Sequence, residues 1–326
     1  MNLLHISIVI SAKNEDDQIS SLLNSLKNVE YPKENFEIIV VDDNSTDLTF
    51  SKAGDFKNEL TNLKVIKAED KKYPGKKGAL ALGINNAVKD YILITDADCI
   101  VSPAWLKRYS VKFHEGYDFL FGNAPFINKP GFINAISRFE NLRTFFLYTT
   151  ACKLHLPYSA AARNFGFKKS SYYNIKGYEN TNETLSGDDD LLIREAVKYK
   201  MRIGYIPDKD AVVYSESKET LKEYLIQRTR HTKTSINYLP VHKIILGGWH
   251  ILNLASLFSL FLGFYNKWFF LPTIIKILTD IIIVKTNETK SGYKFRTFEI
   301  IYLQVIYEIL IVVNFINALF RSEKWK

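Results

Sequence analysis

Tyr91-Ile92-Leu93-Ile94-Thr95-Asp96-Ala97-Asp98 decides how this chain is read. Four of its first five residues are apolar or aromatic, the signature of a buried strand, and it runs out into two carboxylates spaced i, i+2. In a strand, i and i+2 point to the same side. Asp96 and Asp98 can therefore converge on one cation if the strand geometry persists through Ala97. Oxygen ligands suit Mg²⁺ or Mn²⁺, and a site with one or two protein carboxylates completes its shell with water and substrate phosphates. The plain alternative is a polar turn at a strand end.

Upstream, Ile6-Ser7-Ile8-Val9-Ile10-Ser11 is a β-branched run that predicts a first strand. Ile19, Leu22, Leu23 and Leu26 have the spacing of an amphipathic helix, which Tyr31-Pro32 ends. Phe36-Glu37-Ile38-Ile39-Val40-Val41 is a near-continuous apolar run, as in strands buried on both faces. Leu63 to Ile66 predicts a further strand, and Lys76 to Lys89 a helix. The order β-α-β-α-β-α-β implies an α/β fold: a mainly parallel sheet flanked by helices. Ligands of such sheets sit at the carboxyl ends of the strands. Three strands there run into Ala12-Lys13-Asn14-Glu15, Asp42-Asp43-Asn44-Ser45-Thr46-Asp47 and Asp96-Ala97-Asp98. Each alone fits a solvated turn or a helix cap; together on one edge they make a site. Asp43 is placed to accept hydrogen bonds from a base or ribose. Pro74-Gly75-Lys76-Lys77-Gly78 opens a helix with backbone N–H groups and lysines that favour anions. No Walker A pattern and no Gly-x-Gly-x-x-Gly after the first strand is present.

The 326 residues allow one large domain or two ordinary ones. Charged residues are 24% of the chain, which excludes a disordered or low-complexity protein. The net charge of +8 is spread along the chain and fits anionic partners: a phosphate-bearing substrate, an acidic membrane surface or nucleic acid. Cys99 and Cys152 have no paired spacing, which argues against a disulfide framework or zinc site and agrees with a reducing compartment. Met1 to Ser7 lacks the basic and apolar regions of a secretory signal.

Taken together, Ile8-Val9-Ile10-Ser11-Ala12-Lys13-Asn14-Glu15, Val40 to Asp47, Lys76-Lys77-Gly78-Ala79-Leu80 and Thr95-Asp96-Ala97-Asp98 resemble the successive motifs of the family 2, GT-A-fold, inverting glycosyltransferases. That family transfers sugars from nucleotide-diphosphate sugars. The resemblance implies a GT-A, Rossmann-like fold and a UDP- or GDP-linked sugar donor. It implies donor contacts at Ala12, Asn14 and Glu15, with Asp43 on the base, Lys76 on the nucleotide side, Asp96 on the ribose or metal and Asp98 on the metal, Mg²⁺ or Mn²⁺. With such a donor, no nucleic-acid partner is expected.

Leu185-Ser186-Gly187-Asp188-Asp189-Asp190-Leu191 is a second carboxylate cluster. Three successive Asp residues repel one another, which raises at least one pKa. Gly-Asp-Asp-Asp before Leu191 to Ala196 is also sound helix-capping chemistry. An inverting transfer needs a carboxylate to take the proton of an acceptor hydroxyl. Resemblance to the family's Glu-Asp or Asp-Asp motif implies Asp189 as that base, with Asp188 on the acceptor side. Asn164, in Arg163-Asn164-Phe165-Gly166-Phe167, falls where the family has an acceptor-side strand, in a partial match. Gln227-Arg228-Thr229-Arg230-His231 resembles the family's Gln-x-x-Arg-Trp, with His231 in the Trp place. Gln227 and Arg230 would then pair the leaving diphosphate, where a planar guanidinium suits phosphate oxygens. His231 would face the acceptor, and the missing Trp speaks against long-chain polymerisation. The alternative for this stretch is a basic helix face at a membrane surface. Residues 132 to 156, rich in Phe, Leu and Tyr, read as an amphipathic core helix or as a helix on the membrane interface.

The last hundred residues hold three apolar segments, about 244–264, 268–284 and 298–320. The first is nearly uncharged and long enough to span a bilayer. The second contains Pro272, Lys276 and Asp280, and the third Glu299, Gln304 and Glu308, so soluble amphipathic helices are the alternative for both. Lys285, Lys290, Lys294 and Arg296 form a basic loop that suggests a cytoplasmic position. The basic tail Arg321 to Lys326 conflicts with a third full crossing. The expectation is a catalytic domain over 1–235 and membrane-associated helices over 236–326, at the cytoplasmic face of the cell membrane, acting on a lipid-linked or polysaccharide acceptor in cell-envelope glycan synthesis. A processive polysaccharide synthase, a nucleotidyltransferase and a non-catalytic membrane scaffold are the other classes.

Overall fold

The structure, a computed structural model, describes residues 3–320. The apolar runs read from the sequence form strands β1 (Ile6–Ala12), β2 (Phe36–Asp42), β3 (Leu63–Lys67) and β4 (Tyr91–Asp96). Helices α1 (Ile19–Lys27), α2 (Thr49–Asp55) and α3 (Gly75–Asn86) connect them. These four strands are mutually parallel, with β1 between β2 and β4. Every residue of β2 is buried, as expected of a near-continuous apolar run covered on both faces. β3 lies at the sheet edge and carries Lys64 and Lys67, charges that discourage pairing with another chain. Gly83 lets α3 approach the sheet: a Cβ there would stand 2.4 Å from Val9 Cγ1.

Beyond β4 come β5 (Cys99–Val101), α4 (Trp105–Phe113), β6 (Phe119–Gly122), α5 (Phe132–Lys153), β7 (Phe165–Lys168), α6 (Lys169–Asn174), α7 (Asp190–Lys198), β8 (Ile203–Ile206) and β9 (Val213–Ser215). The main sheet has the order β3-β2-β1-β4-β7-β6-β8, and β5 pairs with β9 in a small second sheet. β7 runs antiparallel to both β4 and β6, so the sheet is mixed rather than all parallel. Gly166 makes this insertion feasible, because a Cβ there would meet Leu93 Cδ2 at 2.2 Å. The core includes Ile8, Ile10, Ile38 and Val40 with Leu22, Leu23, Trp105 and Tyr109.

Residues 3–127 with Tyr148–Glu216 make one compact unit, and Asn128–Leu147 with residues 217–320 make another. The expected limit near residue 235 thus falls inside the second unit. The reason is packing: Tyr224 of α8 (Leu221–Ser235) is buried in one core with Ile136, Phe139 and Leu142 of α5. That core also holds Val284 of α10 (Phe270–Asn287) and Ile300, Leu303 and Tyr307 of α11 (Thr297–Phe320); α9 (Pro240–Leu262) completes the unit's helices. The first turns of α5 therefore serve as core helix, the simpler of the two options read from the sequence.

Among the described residues, two helices are long and apolar enough to cross a membrane, α9 and α11. Ile244, Ile251, Phe258 and Phe261 of α9 are exposed. Lys276 and Asp280 of the middle segment, α10, point inward, as does Glu308 of α11. Lys276 donates to Asn253 Oδ1 at 2.8 Å and to Asp280 Oδ2 at 2.9 Å, and Arg143 Nη1 donates to Asp280 Oδ1 at 2.7 Å. Glu308 of α11 stands 3.6 Å from Lys276. The tail 321–326 lies outside the described residues.

Removing one partner of a buried ion network leaves its counter-charges uncompensated. Asp280→Ala strips a carboxylate from both Lys276 and Arg143 and should cost about 3–5 kcal/mol. Thermal unfolding of the purified chain in detergent checks this; a midpoint equal to the parent's would contradict it.

Candidate functional site

The parallel register brings the polar strand ends level with one another. Ser11 pairs with Asp96, Ala12 pairs with Asp42, and the Asp43 N–H donates to the Ala12 carbonyl at 2.7 Å. The sheet order turns at β1 and β4, where α/β sheets open a crevice. One expectation fails here. β4 ends at Asp96, and Ala97 and Asp98 form a turn into β5. The strand geometry does not persist through Ala97, because Cys99 onward must pair with β9. Asp96 and Asp98 consequently do different things.

Asp96 turns to Lys76. The Lys76 ammonium sits 2.7 Å from Asp96 Oδ1 and 2.7 Å from Asp188 Oδ2, joining the first carboxylate cluster to the second. Burial opposes the ammonium charge, but Asp188 and Asp96 outweigh it and hold Lys76 above its ordinary range. Burial likewise works against the Asp188 carboxylate, and Lys76 overrides it and keeps that group below its ordinary range. Lys76 is in the first turn of α3, which Pro74 and the positive-φ Gly75 begin. The next residue, Lys77, is buried and donates to the carbonyls of Thr181 and, at 3.0 Å, Thr184. It anchors the loop that delivers Asp188.

Asp189 is the N-cap of α7, so capping and proximity to the site coexist. Its Oδ1 accepts the Asp190 N–H at 2.7 Å and its Oδ2 accepts the Ala162 N–H at 2.7 Å. Burial first, then the charges of Asp190 and Asp188, push its pKa well above the usual carboxylate range. Each oxygen keeps a lone pair for a proton. Asp190 accepts the Ser159 hydroxyl.

The loops after β1 and β2 hold one another. The Asn14 N–H donates to Ser45 Oγ at 3.0 Å, Asn14 Oδ1 accepts the Thr46 N–H at 2.9 Å, and the Glu15 N–H donates to Thr49 Oγ1 at 2.8 Å. Asn14 and Asn44 both take positive φ, at 53° and 57°, a conformation that Asn tolerates better than most residues. Asn14, Glu15 and Ala12 therefore shape the edge through backbone and loop contacts. Asp43 is buried and ion-paired to Lys71, a lysine just ahead of the basic loop singled out in the sequence. Its second oxygen, Oδ2, is buried without a hydrogen-bond partner. An acceptor left open in this way suits an N–H or O–H donor on a ligand.

The side chain of Asn164 is taken up by the fold. It is fully buried, and its amide is saturated: Oδ1 accepts from Trp105 Nε1 at 2.9 Å and from the Tyr109 hydroxyl at 2.8 Å, while Nδ2 donates to the Asn123 and Ala211 carbonyls at 2.7 and 2.8 Å. Nothing of its amide is left for an acceptor. Gln227, Arg230 and His231 lie on α8 in the second unit; Gln227 and Arg230 are half-buried and His231 is exposed.

Among the described residues, no group of three or more His, Cys, Asp or Glu could hold a metal ion. Asp98 is a half-buried carboxylate with no ion pair among the described residues. A single free hard-oxygen ligand fits a Mg²⁺ or Mn²⁺ that draws its other ligands from water and phosphate.

Comparison with known proteins adds four findings. A family model described as "Glycosyl transferase family 2" matches residues 7–175. "Probable glycosyltransferase YdaM" of Bacillus subtilis is 28% identical over 274 residues, 81% of this chain and 63% of its own length. "Beta-monoglucosyldiacylglycerol synthase" of Nostoc sp. is 36% identical over 101 residues, 31% of this chain and 22% of its own length. The chain thus spans less than two thirds of the length of these curated relatives. Among solved structures, the mannosyltransferase PcManGT from Pyrobaculum calidifontis, in complex with GDP-Man and Mn²⁺, superposes with a TM-score of 0.64 at 16% identity, covering 99% of this chain and 89% of that one. At that identity the likeness is one of fold.

Lys76→Met should remove the largest opposition to burial at Asp188, leaving only a backbone hydrogen bond and the Lys77 charge, and so raise the pKa of its carboxyl. Carboxyl ¹³C shifts followed against pH check the direction; an unmoved Asp188 would show that Lys76 does not set it.

Proposed function

The chain belongs to glycosyl transferase family 2, and on that footing we propose that it moves a sugar from a UDP- or GDP-linked donor to a lipid-linked or polysaccharide acceptor, with inversion at the anomeric carbon. The observation that carries the proposal is the Lys76 bridge between Asp96 and Asp188, with Asp189 next in the chain. It joins a basic group suited to a diphosphate with a carboxylate suited to a proton.

In this reaction Asp43 offers its open Oδ2 to the base, and Asp96 faces the ribose. Asp98 would hold the Mg²⁺ or Mn²⁺, which would supply charge neutralisation at the diphosphate when bound. The acceptor oxygen forms its bond to the anomeric carbon as the bond from that carbon to the phosphate oxygen breaks. The hydroxyl proton passes to Asp189, and the nucleoside diphosphate leaves with the bonding pair. Asp188, held ionised by Lys76, is the weaker base of the two; burial makes Asp189 the stronger, and a base gains from a pKa nearer the working pH. Lys76 acts on the charge that develops on the leaving diphosphate; Gln227, Arg230 and His231 keep the roles that the family resemblance implies for them, on the diphosphate for the first two and on the acceptor for the third. The exposed apolar faces of α9 and α11 support membrane association. We place the catalytic unit on the cytoplasmic face, where the basic loop of Lys285, Lys290, Lys294 and Arg296 would also lie.

With Mg²⁺ or Mn²⁺ and membrane lipid extract, a panel of sugar nucleotides should yield free nucleoside diphosphate from at least one donor, and a chelator should abolish the release. Silence across the panel would remove the proposal, and pyrophosphate in place of nucleoside diphosphate would favour a nucleotidyltransferase. Asp189→Asn should lower turnover about 10²- to 10⁴-fold, the usual worth of a general base; an unaltered rate would exclude Asp189.

The acid limb of the pH–rate profile should lie above the ordinary carboxylate range, since activity needs Asp189 deprotonated and its pKa is raised. Asp190→Asn removes a like charge and should move that limb to lower pH.

A further inference from the structure

Arg163 was not singled out as a site residue by its sequence context, yet both halves of the site bracket it. Ala162, the residue before it, gives its N–H to Asp189 Oδ2 at 2.7 Å. Its own Nη1 donates to Ser215 Oγ, and Ser215 is the register partner of Cys99, the residue after Asp98. Nη2 donates to the Ala124 carbonyl at 3.0 Å, and the guanidinium carbon lies 4.5 Å from the Phe126 ring centroid. A hydroxyl, a carbonyl and an aromatic face thus fix the plane of this cation. None of them is a counter-ion, and Arg163 takes part in no ion pair among the described residues.

The side chain is half-buried, so its charge is partly removed from water without being neutralised. A guanidinium has five N–H donors; the two bonds above leave three. A planar cation held in place with donors to spare is matched by the oxygens of a phosphate, which accept two parallel bonds from one fork. A sugar hydroxyl would leave the charge unanswered, and among the described residues no carboxylate of this chain is paired with it.

We propose that Arg163 binds phosphate oxygens of a reactant beside Asp98. Those oxygens belong to the donor's diphosphate or to a phosphate on a lipid-linked acceptor. The proposal rests on the reading of this edge as the place of sugar transfer, and it adds a cation supplied by the chain at Asp98, apart from Lys76.

The test is calorimetric titration of the full-length chain in detergent with UDP, UMP and uridine, and with GDP, GMP and guanosine, for wild type, Arg163→Gln and Arg163→Lys. If the donor supplies the phosphate, Arg163→Gln weakens the diphosphate about 10- to 150-fold, the worth of one charged hydrogen bond, and leaves the nucleoside unchanged. Arg163→Lys restores only part, because it returns the charge without the fork. If the acceptor supplies it, diphosphate binding is unchanged and the amount of membrane lipid extract that half-saturates transfer rises by a similar factor, at constant KM for the donor. Neither quantity changing by more than about two-fold overturns the proposal. So does an equal loss for nucleoside and diphosphate with a lowered melting temperature, which would make Arg163 only a tie between Ala124 and Ser215. A wild-type chain that binds no nucleotide at all overturns the transfer reading together with this one, whereas binding retained in Arg163→Gln, with unchanged lipid dependence, overturns Arg163 alone.

Discussion

Lys76 stands between two carboxylates that reach it from distant parts of the chain, Asp96 at the end of β4 and Asp188 ahead of α7. A buried ammonium is costly unless it is paired, and two carboxylates left facing each other would repel. The three charges are therefore stable only as a set. Lys77 adds the mechanical half: its ammonium holds the Thr181 and Thr184 carbonyls, so the loop that delivers Asp188 is anchored to the helix that delivers Lys76. Two adjacent residues of one helix turn thereby fix both the charge and the backbone of the carboxyl edge.

From that bridge the local chemistry follows. Asp188 is kept ionised by its lysine, and its neighbour Asp189, buried between two further carboxylates, is pushed the opposite way. Adjacent groups of the same type thus acquire different proton affinities through their partners alone. The same rule governs the helical unit. There Arg143, Lys276, Asp280 and Glu308 are buried together, and α10 can carry charges in an apolar setting because each has an opposite charge in reach.

Much of the sheet was legible because its signal is periodicity. β1, β2 and β4 are near-continuous apolar runs, as strands covered on both faces are. The antiparallel β7 was harder. Phe165-Gly166-Phe167-Lys168 is short, and its partners β4 and β6 are fixed by long-range packing. Asn164 shows the limit for single residues. A polar amide beside a strand reads as a ligand group, but Trp105, Tyr109, Asn123 and Ala211 consume it, and none of these is near it in sequence. Neither Lys71 nor Arg163 was itself marked as a site residue by a pattern; each matters through what the fold places beside it, Asp43 for the one and Ser215 with Ala124 for the other.

Sequence alone determined the α/β class, the edge at which polar loops gather, the family resemblance, and the places of Asp96-Ala97-Asp98 and of the three aspartates. These are local facts, written in strand periodicity and in the order of short motifs along the chain. Tertiary structure alone decided that Asp96 and Asp98 part company at Ala97, that Lys76 joins Asp96 to Asp188, and that Asp189 is the carboxylate raised by burial. Each of these depends on distances between residues far apart in the chain, and charge, burial and hydrogen-bond supply are set by those distances.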